Sequence, residues 1–211
     1  MCNLYNIRSN QQAIIEAARV MRDGIGNLPP DFDVGKNGYG PIVRTGADGA
    51  RELVTARWGM PTPPQYLKKP YDYGVTNIRD LSSRHWQRWF GVEHRCLVPA
   101  TSFSEPGPPP AEGGRVPIVW FGKSGGNPLF FFAGIWTHWH GKRKAREEAG
   151  DHEVYGFLTC DPNAIVRPIH PKAMPVVFTE ADEIETWMTA PWVVARELQR
   201  PLGDRMLVVQ P

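Results

Sequence analysis

A chain of 211 residues with 24 Lys and Arg against 22 Asp and Glu, net +2, has room for one generous domain or two small ones, and it is no polycation. Any nucleic-acid contact therefore has to come from a local patch rather than overall charge. Its 21 Gly and 21 Pro exceed the usual ~7% and ~5% and speak against a helical bundle, and the three widely spaced cysteines, Cys2, Cys96 and Cys160, speak against a disulfide scaffold.

Residues 3–8 (NLYNIR) predict a short strand at the front. Ser9 or Asn10 caps a helix running to about Asp23, with Ala13, Ile14, Ala17, Ala18 and Met21 on one face. Residues 24–40 are Gly/Pro-rich and read as loop. Residues 41–45 and 52–58 form a strand pair around the Asp48-Gly49 turn. The Pro-rich loop MPTPPQYLKKP follows, then Val75-Thr76-Asn77 at a strand end, then a short helix from Ser82 through Trp89. Apolar runs at 95–100, 116–121, 129–136, 154–160, 174–179 and 206–209 have strand lengths and are rich in aromatic and β-branched residues. Two short helices are expected at Glu180–Met188 and Trp192–Gln199.

Strands outnumber helices and do not alternate with them. The expected class is α+β: a single β-rich domain over 1–211, with a curved, largely antiparallel, barrel-like sheet and a few short helices. Residues 107–115 (GPPPAEGGR) read as an exposed loop between strands. No leader of basic then apolar residues opens the chain, and no run approaches the ~20 apolar residues of a membrane span. A soluble protein of a reducing cytoplasm is expected, with no membrane partner.

Cys2 directly follows the initiator methionine. Its small side chain suits removal of Met1, which would leave an α-amine and a thiol on one residue. Such a 1,2-aminothiol condenses with an aldehyde and closes a thiazolidine ring. A free α-amine has a pKa of about 8, so part of it is neutral at physiological pH, and ring closure is intramolecular. Position alone is equally explained by a tolerated small residue.

No Cys-x-x-Cys or His-Glu-x-x-His spacing occurs, and the His138/His140 pair flanking Trp139 is no metal signature, so neither a metal nor another cofactor is expected. Gly122–Gly126 lacks phosphate-loop spacing and reads as a hairpin turn. Asn77 and Arg79 stand two apart at a strand end and so share a face; a capping Asn and a solvated Arg would look the same. Glu105 ends an apolar stretch, where either a general acid/base or a surface carboxylate fits. His170 is fixed among Pro168, Pro171 and Pro175, as a positioned imidazole or a structural turn requires. The basic tract Lys142–Arg146 precedes Glu147-Glu148 and reads as a solvated loop.

Together these residues resemble the SRAP family of SOS-response-associated peptidases, or abasic-site processing proteins. The resemblance runs through Met1–Tyr5, Arg57–Met60, Thr76–Arg79, Cys96–Ala100, the Glu105 segment, Phe132–Trp136, Phe157–Thr159 and Ile169–Pro175. It implies a catalytic set of Cys2, Asn77, Glu105 and His170. It implies DNA contacts at Arg79, Lys172, Trp58 and Pro41, within a basic groove for single-stranded DNA containing abasic sites. It further implies a thiazolidine crosslink between mature Cys2 and the ring-opened sugar, made by a monomer in the cytoplasm that is nucleoid-associated when bound to DNA. Two departures stand out. Leu4 occupies a position where many members have arginine, and the loop after Trp58-Gly59 lacks paired tryptophans, leaving stacking there to Tyr66, a proline or nothing. Three alternatives stay open: an N-terminal-nucleophile cysteine peptidase, including autocatalytic removal of Met1; a non-catalytic single-stranded nucleic-acid binding module; and a carbonyl scavenger.

Overall fold

The computed structural model describes residues 2–29, 31–110, 113–126 and 128–210; Met1, whose removal is expected, lies outside them. Fourteen strands are described: β1 (Leu4–Ile7), β2 (Arg22–Asp23), β3 (Phe32–Gly35), β4 (Tyr39–Thr45), β5 (Arg51–Trp58), β6 (Asn77–Ile78), β7 (Arg95–Ala100), β8 (Ser102–Pro106), β9 (Ile118–Lys123), β10 (Phe130–Gly141), β11 (Gly150–Cys160), β12 (Met174–Pro175), β13 (Val177–Phe178) and β14 (Leu207–Gln210). Four short helices accompany them: α1 (Gln11–Ala18), α2 (Arg84–Gln87), α3 (Ala181–Thr189) and α4 (Trp192–Ala195).

Strands β11, β10, β7, β4 and β5 pair in that order, and β5 returns to β11 in parallel through Arg57↔Val154 and Trp58↔Tyr155. The ring closes a five-stranded barrel, which removes the exposed edges that an open sheet would present. A second, antiparallel sheet runs β14-β9-β8-β1-β3. The expected β-rich α+β domain with a barrel-like sheet is what the chain forms.

Aromatic rings join the two layers. Tyr5 of β1 meets Trp58 edge-on at 5.2 Å and Phe132 at 5.7 Å, and Phe157 stacks on both Trp58 (5.1 Å) and Phe132 (4.5 Å). Each such pair adds about 0.5–1.5 kcal/mol beyond its buried area. The Tyr5 hydroxyl lies 2.5 Å from that of Tyr155, so the polar ends of both buried rings are satisfied. These contacts fix the strand that carries Cys2 against the barrel.

Several boundaries differ from expectation. Asn10 is the cap of α1, its Oδ1 accepting from the Ala13 N–H at 2.8 Å, but the helix stops at Ala18 rather than near Asp23. Arg19 turns left-handed (φ 53°), and Arg22–Asp23 instead pair in parallel with β5, exchanging helical bonds for sheet bonds. Met21 is consequently exposed. The stretch expected as loop at 24–40 contains β3, which pairs with β1. Ser83, not Ser82, precedes α2, and the last helix divides into α4 and a 3-10 turn at Arg196–Leu198. The tract Lys142–Arg146 is not wholly solvated: Arg143 is fully buried, hydrogen-bonded to Asn37 and Tyr73.

Candidate active site at the chain start

Cys2 lies two residues before Leu4, whose pairing with Ser104 joins β1 to β8, and is 1% exposed. Its Sγ donates to the Leu4 carbonyl at 3.4 Å. Burial pushes the thiol far above its ordinary value, and the neighbouring Glu105 charge pushes it further.

Asn77 reaches the same point from the other layer. Strand β6 lies parallel to β11 through Asn77↔Phe157, which aims Asn77 at the chain start. Its Nδ2 donates to the Cys2 carbonyl at 3.0 Å and to Thr76 Oγ1 at 2.8 Å. Its Oδ1 is buried and has no partner among the described residues, an acceptor held ready beside Cys2.

Glu105 was expected where a strand ends. It lies within a second strand, β8, opposite Val119 of β9, and is 1% exposed. Burial raises its carboxyl above the ordinary range, while the positive charges of His170 and Lys36 pull it back. A carboxyl raised in this way is a better general acid than a surface glutamate. His170 follows a helical turn in which its N–H reaches the Val166 carbonyl at 2.8 Å. Its Nδ1 lies 2.9 Å from the Ala173 carbonyl and 3.3 Å from the Ala173 N–H. The shorter contact favours the tautomer that carries its proton on Nδ1. Cys2, Asn77, Glu105 and His170 are thus brought together from the segment before β1, from β6, from β8 and from the turn before β12.

The expected DNA contacts divide. Arg79 and Lys172 are exposed flanking cations, although Arg79 Nη2 is paired with Asp161 Oδ1 at 2.6 Å. Trp58 is wholly buried, stacked on Phe157, with its indole N–H donated to the Thr76 carbonyl at 3.2 Å. Pro41 is buried in the middle of β4. Neither presents surface to a base, so the two are corrected to core residues. Tyr66, at 68% exposed, is the aromatic ring available on the loop after Trp58.

Sequence reading missed Lys36, whose charge is among those that lower the Glu105 carboxyl, while Thr76, which shares the Asn77 amide, lies in the Thr76–Arg79 stretch already singled out. A lone lysine in the turn Gly35-Lys36-Asn37-Gly38 was the available signal for Lys36. Among the described residues no group of three or more His, Cys, Asp or Glu is placed to hold an ion. No described helix is long and apolar enough to cross a membrane. A groove of about 1350 Å³ opens at the end of β5 remote from Trp58, but its Arg22, Arg44 and Arg51 are ion-paired with Asp48, Glu52, Glu153 and Glu185. The four candidate groups lie instead around Cys2.

The model of the SRAP family, SOS response associated peptidase, matches residues 1–210. The chain belongs to this family. Solved structures similar to this SRAP chain include a Bordetella bronchiseptica protein, 22% identical with TM-score 0.73, covering 99% of this chain and 98% of that one. A Bacteroides thetaiotaomicron protein is 20% identical with TM-score 0.74, covering 99% and 90%. A phage-related protein from Bordetella bronchiseptica is 17% identical with TM-score 0.71, covering 100% and 93%. At these identities the likeness establishes the SRAP fold. Among curated proteins, none matches this chain.

Proposed function

We propose that this SRAP protein captures abasic sites in single-stranded DNA by a covalent thiazolidine bond to mature Cys2. The observation that carries the reading is the contact of Asn77 Nδ2 with the Cys2 carbonyl, beside a buried Glu105 of raised pKa. The family membership supports a function in the SOS response.

An abasic sugar is mainly a closed hemiacetal. Glu105 protonates the ring oxygen while the anomeric hydroxyl passes its proton to His170, which frees the C1′ aldehyde. The Cys2 amine adds to C1′, and the carbinolamine leaves water with a proton from His170, giving an iminium ion. Cys2 Sγ then bonds to C1′; its proton passes to the Glu105 carboxylate, and the iminium electrons return to nitrogen. One aldehyde and one aminothiol thus become a thiazolidine and one water. The burial-raised thiol is protonated at rest, so the base has to act during ring closure rather than before it. Asn77 does not titrate; it holds the Cys2 backbone and offers Oδ1 to an amine N–H or a sugar hydroxyl. Arg79 and Lys172 neutralise phosphates, which makes affinity fall with salt, and Tyr66 stacks on a flanking base.

The test is incubation of the mature protein with single-stranded DNA carrying one abasic site, followed by a denaturing gel. A slow-migrating covalent species is expected with wild type and none with Cys2→Ala. An undiminished species with Cys2→Ala, or none with wild type, overturns the proposal. The family description as a peptidase favours a second reading, cleavage of an amide by the Cys2 thiol with His170 as base. Intact mass separates the two: Met1 retained in Cys2→Ser but lost from wild type in a purified translation system without aminopeptidase supports the peptidase.

A further inference from the structure

Arg143 is a buried cation that the Cys2 chemistry does not use. It is 0% exposed, and no carboxylate among the described residues lies within ion-pairing distance of it. Its Nε donates to Asn37 Oδ1 at 3.1 Å and its Nη2 to the Tyr73 carbonyl at 2.8 Å, while Nη1 has no partner. The guanidinium also stands 5.1 Å from the Trp139 ring centre. Burial lowers its pKa to about 10, so it remains charged at neutral pH. A desolvated charge without a carboxylate is costly, and lysine could not reach both acceptors with one planar fork.

What the guanidinium touches gives it a purpose. Gly59 (φ 144°) and Gly74 (φ 80°) face each other across the stem of the 60–74 loop, and a Cβ at either would collide with Arg143 Nη2. The stem itself is the Met60↔Val75 bridge, bonded at 2.9 and 2.7 Å. Asp72 holds the loop inward, its carboxylate accepting from the Thr62 and Gly74 N–H groups and its own N–H reaching the Lys142 carbonyl at 2.8 Å. Two residues past Val75 comes Asn77, which holds Cys2. On the opposite side, Asn37 adopts a left-handed backbone (φ 61°) in the turn between β3 and β4.

We propose that Arg143 is a positioning residue, tying the 59–74 loop and the 36–38 turn to the β10–β11 hairpin so that Asn77 sits correctly beside Cys2. The inference rests on the crosslinking activity proposed above. Its test is single-turnover crosslinking at saturating abasic DNA with Arg143→Gln and Arg143→Lys, beside limited trypsin digestion at the exposed Lys68 on the loop. Both variants are expected to react at least tenfold more slowly, with half-saturating DNA within threefold of wild type and faster cleavage at Lys68. Lost folding alone would lower the amplitude and leave the rate constant of the reacting fraction unchanged; a rate constant within twofold of wild type, or unchanged cleavage, overturns the proposal. Should neither variant be soluble, Asn37→Gly removes the Nε acceptor while tolerating the left-handed backbone, and the same slowing is expected; a full rate overturns the proposal. Wild type that makes no crosslink overturns the activity instead, and cleavage at Lys68 then decides the role of Arg143 by itself.

Discussion

Asn77→Ala tests the geometry at Cys2 most quantitatively. The substitution deletes two donated hydrogen bonds, to the Cys2 carbonyl at 3.0 Å and to Thr76 Oγ1 at 2.8 Å. At about 1 kcal/mol net each, the loss is about 2 kcal/mol. It also deletes an oxygen that is buried without a partner, and removing an unsatisfied polar atom offsets part of that loss. Net destabilisation should therefore stay below about 2 kcal/mol by denaturant titration. The catalytic effect has no such offset, because the Cys2 backbone loses its anchor and the substrate loses the Oδ1 acceptor. If the two bonds act in full on the transition state, about 2 kcal/mol is about 30-fold in rate. Single-turnover gel kinetics at saturating abasic DNA read that number directly. A rate within threefold of wild type would refute the role given to Asn77; so would a loss explained wholly by unfolding.

Glu105→Gln should raise stability at neutral pH while slowing crosslinking. The native carboxyl has a raised pKa, so between its unfolded and folded values the native state binds more protons than the unfolded state, and stability falls as pH rises through that window. Glutamine escapes the penalty, so melting temperatures should favour the variant at pH 7 and converge with wild type below the unfolded carboxyl value of about 4.3; equal curves at both pH values would contradict this burial account. Asp161→Asn removes the carboxylate paired with Arg79, and tighter noncovalent binding of undamaged single-stranded DNA, measured by anisotropy, is expected, whereas Arg79→Ala should weaken binding and reduce the salt slope by about one. Trp58→Phe is expected to lower thermal stability with DNA affinity unchanged, since the indole is wholly buried; lost affinity at full stability would restore Trp58 as a contact.

Much of the barrel was legible because its strands are apolar on both faces or nearly so. The runs at 95–100 and 129–136 belong to β7 and to the buried half of β10. Strand β8 escaped notice because Ser102, Ser104 and Glu105 are polar and yet buried; its burial follows from pairing with β1 on one side and β9 on the other, which no local pattern encodes. The end of α1 was hidden for a related reason. Arg19 rather than glycine takes the left-handed position, and what draws the next residues away is pairing with β5, distant in sequence. Cys2, Asn77, Glu105 and His170 each admitted a bland reading from position, spacing or proline context, and only the resemblance grouped them into one set. Trp58 misled because a tryptophan near a glycine reads equally as stacking platform and as core. Arg143 misled because its basic neighbours Lys144 and Arg146 are indeed exposed.

The central claim is that Cys2, freed of Met1, bonds to the sugar carbon through both nitrogen and sulfur. Peptide mapping by mass spectrometry of the crosslinked species, after nuclease digestion, tests it most directly. The account predicts an N-terminal peptide beginning at Cys2 that carries the abasic sugar remnant with one water lost, no longer alkylated at its thiol or reduced by borohydride. An adduct on a lysine, a borohydride-reducible imine with an alkylatable Cys2, or a crosslinked peptide still beginning with Met1 would contradict it.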